Sequence, residues 1–316
     1  MGTNTFSSRL GFILVSAGCA IGLGNVWRFP FITGKYGGAS FVVLYLIFLA
    51  LLGLPIMVAE FAVGRASIHS PAKAFNVLEP KGTYWHKYKY VMIAGNVLLM
   101  MYYTTISGWM FYYFYKMLVG AFEGMTPAQV GSVLGGLLQD PQTMVALLLF
   151  VILLGFFVCY LGVQAGVERI TKVIMSLLLV LIFILAVNSV LLPGSEAGLR
   201  YYLYPDFSRL SQYSWNEVIF NAMGQAFFTL SIGQGSLSIF GSYIGKEKRL
   251  TGEAVWIIVL DTFVALMAGL IIFPACFSYG INPGAGPNLL FVTLPNVFNH
   301  MFLGRFWGTL FLLFMI

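Results

Sequence analysis

Two stretches place hydrogen-bonding groups where an apolar helix would be expected to run unbroken. Ala17-Gly18-Cys19-Ala20-Ile21-Gly22-Leu23-Gly24-Asn25 and Phe228-Thr229-Leu230-Ser231-Ile232-Gly233-Gln234-Gly235-Ser236 each carry a Gly-x-Gly beside polar side chains. Each glycine lowers helix propensity by about 1 kcal/mol. Such pairs have two readings. They let helices approach closely, or they mark locally unwound backbone, which at membrane depth survives only against a cavity or a ligand. Unwound backbone has a chemical use: freed carbonyls coordinate a hard cation, and half-helix N-termini attract an anion. An amino acid's carboxylate and a sodium ion would each find a partner there.

Three charged residues fall inside otherwise apolar runs: Arg28, Glu60 and Asp261. An acid in a span costs about 3 kcal/mol on insertion scales. Glu60 reads as a brace that accepts bonds from unwound backbone. Asp261 reads as functional, and Arg28, following Asn25, as a gate. Enzyme signatures are not found. Gly22-Leu23-Gly24 has no third glycine at the dinucleotide spacing, and there is no Walker A, HExxH or GxSxG. Cys19, Cys159 and Cys276 lie far apart in apolar stretches and offer neither CxxC nor metal spacing. No organic cofactor and no enzymatic activity are expected.

These groups need elements to hold them, and the composition says which. Of 316 residues 59% are hydrophobic, 16% aromatic and only 9% charged, against roughly a quarter charged in a soluble domain. No soluble fold of this size hides that much apolar surface. The continuous runs exclude an outer-membrane barrel. The expectation is an all-α polytopic membrane protein forming a single transmembrane domain over 1–316. Its spans are Leu10–Trp27, Phe41–Val63, Tyr90–Tyr115, Thr143–Leu161, Val173–Leu192, Val218–Gly245 and Ala254–Ile281, and Leu303–Ile316 opens an eighth. That last run is too short to cross a bilayer and has no polar flank, so a fragment of a longer protein is expected. No cleavable signal peptide is read at the N-terminus.

The net charge of +6 is read as a topology signal, with membrane lipid and not nucleic acid as the surrounding partner. With the N-terminus in the cytoplasm, Arg9, Arg65, Lys73, Lys81, Lys87, Lys89, Arg169, Lys172, Lys246, Lys248 and Arg249 lie inside, eleven of the seventeen basic residues. The outer stretch Asn282–His300 reads either as a re-entrant or lid element or as an interfacial helix. Trp27, Trp85, Trp109 and Trp307 fall near span ends and read as interfacial belt residues. His69, His86 and His300 read as solvated flank residues. Two matching interruptions five spans apart favour unwinding, because inverted-repeat transporters build their site from the first helix of each repeat.

At this point the residues resemble a known family. Ser8-Arg9-Leu10-Gly11-Phe12 followed by Gly22-Leu23-Gly24-Asn25-Val26-Trp27-Arg28-Phe29-Pro30 is similar to the first span of the neurotransmitter:sodium symporter family. Gly37-Gly38, Gly53-Leu54-Pro55, Glu60, Gly64-Arg65, Tyr102-Tyr103, Gln225 through Ser231, and Phe291-Val292-Thr293-Leu294-Pro295 continue the resemblance to the end of the chain. It looks like a bacterial member of the kind that carries leucine, tyrosine or tryptophan.

The resemblance implies a leucine-transporter-like inverted-repeat fold with about eight of eleven or twelve spans present. The first repeat would cover about 9–193, and the second would start at about 215–316. It implies sodium-coupled amino-acid import by alternating access, in the plasma membrane of a bacterium, and leaves a homodimer open. A truncated fragment that does not transport, or serves only as an interaction partner, is the alternative. One sodium ion would meet the carbonyl of Ala20, the side chain of Asn25 and Thr229. A second would meet the carbonyls of Gly18 and Ile21. The substrate carboxylate would meet Leu23, Gly24 and Tyr103. The amino group would meet Ala20, Phe228, Thr229 and Ser231, with Gln234 lining the side-chain pocket. Gly22 leaves room for the carboxylate, which favours an amino acid over a biogenic amine. Tyr103 and Phe228 would close over the solute, with Arg28 as the outer gate. Tyr45, Gln225 and Thr229 resemble chloride ligands, and Asp261 is expected as a sodium ligand or as a fixed charge replacing the halide. Thr3 and Phe6 stand where the family usually has an inner-gate Arg and Trp.

Overall fold

The computed structural model describes residues 9–161, 169–284, 286 and 289–316. Thr3 and Phe6 lie outside the described residues. Among those described there is no strand, and the chain is built from helices throughout. The first span runs from α1 (Arg9–Ala20) through a break and a π turn (Gly24–Arg28) into α2 (Phe29–Lys35). The second is continuous over Ala39–Ser67, as α3 (Ala39–Phe48), a π turn (Leu49–Gly53) and α4 (Leu54–Ser67). A surface helix α5 (Pro71–Leu78) leads to the third span α6 (Tyr88–Leu118). Then come α7 (Pro127–Leu138), α8 (Pro141–Tyr160), α9 (Arg169–Val190) and α10 (Ser195–Leu203). The sixth span is α11 (Trp215–Thr229), a break, and α12 (Ser236–Gly241); the seventh is α13 (Leu250–Ser278). A π turn (Leu289–Thr293) with α14 (Leu294–Asn299) precedes α15 (Gly304–Met315).

Each of the three π turns ends two residues before a proline: Pro30, Pro55 and Pro295. A proline has no N–H for the carbonyl one turn back and its ring crowds that carbonyl. Widening the preceding turn by one residue moves the carbonyls onto other donors, as when Phe29 N–H bonds Gly24 O and Leu54 N–H bonds Leu49 O. The first span therefore continues past Arg28 to Lys35 instead of stopping at Trp27, and Arg28 lies within it.

Five described helical segments are long and apolar enough to cross a membrane: Ala39–Ser67, Trp85–Leu118, Pro141–Tyr160, Thr171–Val190 and Leu250–Ser278. The first and sixth spans do not qualify as single helices because each is in two pieces. The sixth ends at Gly241, short of Gly245, where the apolar run gives way to turns. α13 runs through the centre, against α9, α10, α1 and the first π turn. α8 has no buried residue and presents its apolar surface outward. α12 and α4 touch backbone to backbone: a Cβ on Gly64 would strike the Ser238 carbonyl, and one on Gly241 would strike Phe61.

Within the 282–300 stretch the described helical part, Leu289–Asn299, is not an interfacial helix. Leu289 through Phe298 are buried throughout, packed among α7, α13 and α15. Two tryptophans also depart from the belt reading. Trp27 stacks on Tyr102 with ring centroids 6.0 Å apart and donates to the Gly286 carbonyl at 3.2 Å. Trp109 packs edge-on against Phe291 at 6.0 Å. Trp85 is exposed.

Candidate functional site

Asn25 is fully buried on the first π turn. Its Oδ1 accepts the Gly22 N–H at 3.2 Å, so that N–H bonds a side chain in place of a helical carbonyl. Its Nδ2 donates both to Oδ1 of Asp261, at 2.8 Å, and to the Asp261 carbonyl, at 2.9 Å. Thr229, the last residue of α11, donates its hydroxyl to the other Asp261 oxygen at 2.9 Å. All three side chains are buried. One carboxylate thus ties the break of the first span and the end of α11 to the middle of α13. Carboxylate and hydroxyl oxygens belong to the donor set of a hard cation, while the Asn25 amide turns its nitrogen to the carboxylate and its oxygen to the Gly22 N–H. A buried acid costs less when its oxygens are hydrogen-bonded, and here Asn25 and Thr229 supply one donor to each.

The two breaks differ in construction. In the first, Ile21 and Gly22 leave the helical path and Val26 N–H returns to Gly22 O at 3.2 Å. A Cβ on Gly22 would meet nothing within 4 Å, so open space faces it, whereas one on Gly24 would come within 3.3 Å of the Phe228 ring. In the sixth span the break covers Leu230–Gly235, with positive φ at Ser231 (52°), Gly233 (87°) and Gly235 (82°). Glu60 on α4 accepts the Gly233 N–H, which is the brace expected of it. The Gln234 carbonyl accepts from Asn96.

Above the cluster sits a layer of charge and rings. Arg28 donates to Gln225 Oε1 at 2.6 Å, and Gln225 Nε2 donates to the Gly24 carbonyl at 3.1 Å. The Arg28 guanidinium lies 4.6 Å from the Phe228 ring centre, a cation–π contact. Phe228 and Tyr103 approach with centroids 6.2 Å apart. Arg28, Phe228 and Tyr103 are therefore adjacent.

The remaining expected residues divide. Ala20 and Leu23 are buried beside the first break, and Ser231 and Gln234 lie in the second. Gly18 packs against α9, where a Cβ would stand 2.7 Å from Thr171. Of the chloride-like set, Thr229 and Asp261 bond each other, Gln225 is engaged by Arg28 and Gly24, and Tyr45 is buried against Phe29. His69 and His300 are exposed and His86 is half-buried, and each is engaged locally: His69 at the Ser67 carbonyl, His86 at Glu79, His300 at the Asn296 carbonyl. Asn96 and the Gln225 link to Gly24 were not foreseen. The proline spacing after each π turn was a signal that could have located the turns.

The model of the sodium:neurotransmitter symporter family matches residues 3–124 and 133–316. The chain is 37% identical over 297 residues to an uncharacterized sodium-dependent transporter of Bacillus subtilis, covering 94% of this chain and 64% of that one. It is 33% identical to one of Haemophilus influenzae, covering 97% of this chain and 68% of that one. The crystal structure of MhsT in complex with L-phenylalanine superposes with a TM-score of 0.92 at 38% identity, covering 99% of this chain and 70% of that chain. The chain thus spans about two thirds of the length of these relatives.

Proposed function

The chain belongs to the sodium:neurotransmitter symporter family, and from that premise we propose that it carries the ion and solute sites of a sodium-coupled amino-acid symporter that works by alternating access in a bacterial plasma membrane. The observation that carries the reading is the buried Asn25–Asp261–Thr229 cluster between two broken spans. The names of the relatives, sodium-dependent transporters, and the phenylalanine bound to MhsT support it.

In this reading Asn25, Thr229, Asp261 and the Ala20 carbonyl hold one sodium ion, and the carbonyls of Gly18 and Ile21 contribute to a second. The open space at Gly22 admits the substrate carboxylate beside Leu23 and Gly24. Ser231 and Thr229 receive the amino group, and Gln234 faces the side chain. Tyr103 and Phe228 cover the solute, with Arg28 outside them. Coupling is electrostatic: a carboxylate and a cation in low dielectric each lower the other's desolvation cost, so each raises the other's affinity by the same factor. The fixed charge of Asp261 serves in place of chloride. The two repeats correspond to about 9–193 and 215–316, with the N-terminus in the cytoplasm.

The test is uptake of a panel of amino acids into proteoliposomes under a sodium gradient. This chain would be compared with one extended to the length of its relatives. Sodium-dependent, chloride-independent accumulation of at least one amino acid is expected from the extended chain. Accumulation without sodium, or none from any member of the panel, would sink the reading.

A further inference from the structure

The break of the sixth span is gripped from two other spans. On one side Glu60 of α4 accepts the Gly233 N–H. On the other, Asn96 of α6 donates its Nδ2 to the Gln234 carbonyl at 2.8 Å. The same nitrogen also donates to the Met92 carbonyl one turn earlier, again at 2.8 Å, so the amide is oriented by its own helix before it reaches across. The Gln234 carbonyl has no backbone donor, because the first bond of α12 runs from Ile239 N–H to Gly235 O. A carbonyl at membrane depth needs a donor, and Asn96 supplies it. Next to it a Cβ on Gly235 would stand 2.8 Å from Pro71 and 3.1 Å from Met92 Sδ, so the chain cannot slide toward α5 and α6.

We propose that Asn96 is a positioning residue for the solute site. It touches neither ion nor solute. By fixing the Gln234 carbonyl it sets the backbone path from Ser231 to Gly235, which includes three positive-φ residues. That path decides where the Ser231 hydroxyl and the Gln234 side chain point. The consequence for solute affinity rests on the symport reading above; the grip on the backbone does not.

Hydrogen exchange and equilibrium amino-acid binding are measured on the membrane-reconstituted protein, for wild type, Asn96→Leu, which has similar volume and no donor, and Asn96→Gln, which keeps the amide. Asn96→Leu is expected to speed exchange over 231–236 about tenfold, as one lost hydrogen bond would. Exchange in α11 and α13 should stay unchanged. Solute affinity should fall by a similar factor, the sodium dependence of what remains should persist, and Asn96→Gln should restore most of both. Should the leucine variant fail to fold, Asn96→Ala serves in its place. The proposal is overturned if exchange over 231–236 is unaltered, if the increase is shared by α13, if glutamine is no better than leucine, or if affinity holds while exchange rises. If wild type binds no amino acid of the panel, the symport reading fails, and the exchange comparison still decides whether Asn96 holds the break.

Discussion

The first and sixth spans are both interrupted, yet they are stabilised in different ways. The first break is short, buried and largely self-supporting: Asn25 caps the Gly22 N–H from within the same turn, and helical bonding resumes at once through a π turn. The sixth break is longer, contains three positive-φ residues and has Gly233 exposed. Ser231 and Ile232 N–H turn back onto the Phe228 and Phe227 carbonyls, but the Gly233 N–H and the Gln234 carbonyl at its far end depend on side chains of other spans, Glu60 and Asn96. A break closed by its own residues keeps its shape when its neighbours shift; one closed by borrowed groups follows them. The pair therefore reads as a fixed half and an adjustable half meeting at Asp261.

The largest expected effect breaks the meeting point itself. Asp261→Ala strands the buried Thr229 hydroxyl and leaves the Asn25 amide only the residue-261 carbonyl, and should destabilise the protein by about 2 kcal/mol. Thermal unfolding should show it, and isothermal titration should show sodium binding lost as well. A variant with unaltered sodium affinity would separate the cluster from the ion. Second comes Gly22→Ala. Open space faces the new methyl, so unfolding should hardly move, while amino-acid affinity should drop at least about tenfold because the methyl occupies the carboxylate's place. Equal losses of stability and affinity would mean that the first break gives way to the methyl.

A smaller effect belongs to the other half. At Gly233, with φ 87° and nothing within 4 Å of a Cβ, alanine carries only the backbone cost of a left-handed residue, about 1 kcal/mol. Local exchange over the sixth break should report it, with the first break silent. The smallest concerns the α5–α6 corner beneath the sixth break. Glu79 accepts from the His86 backbone N–H at 3.0 Å and meets its ring at 2.7 Å. That backbone bond first, and the imidazole second, hold the Glu79 carboxyl below its ordinary range. A lowered folded pKa means that this contribution is complete above the ordinary carboxylate range and is lost as pH falls through the lowered value. Protection over 71–90, taken relative to the intrinsic exchange rate at each pH, should therefore fall slightly on acidification, and Glu79→Gln should flatten the profile.

The interruptions were legible because glycine pairs within apolar runs have few other uses, and Glu60 was legible as a brace because an acid in a span needs donors. The register of Asp261 was not, although the family resemblance grouped it with Asn25 and Thr229. Asn25 and Asp261 are 236 residues apart, and no local pattern sets the register of α13 against the first span. Asn96 looked like any polar residue in a span, since its worth lies in the carbonyl it meets. Trp27 and Trp109 lie near the ends of apolar runs and yet pack inside the protein, because the end of an apolar run need not lie at the bilayer surface. Their actual neighbours, Tyr102 and Phe291, come from other parts of the chain. The lengthened first span followed from the same cause: Arg28 ends the apolar run but not the helix.

The contact between α4 and α12 has a mechanical corollary. Where two rods meet through glycines there is no compressible padding of side chains between them, so a push on one is delivered to the other almost without slack. The cytoplasmic or external end of the second span then acts as a lever on the far segment of the sixth. The six residues Leu230–Gly235 are the joint that must bend when it is pulled.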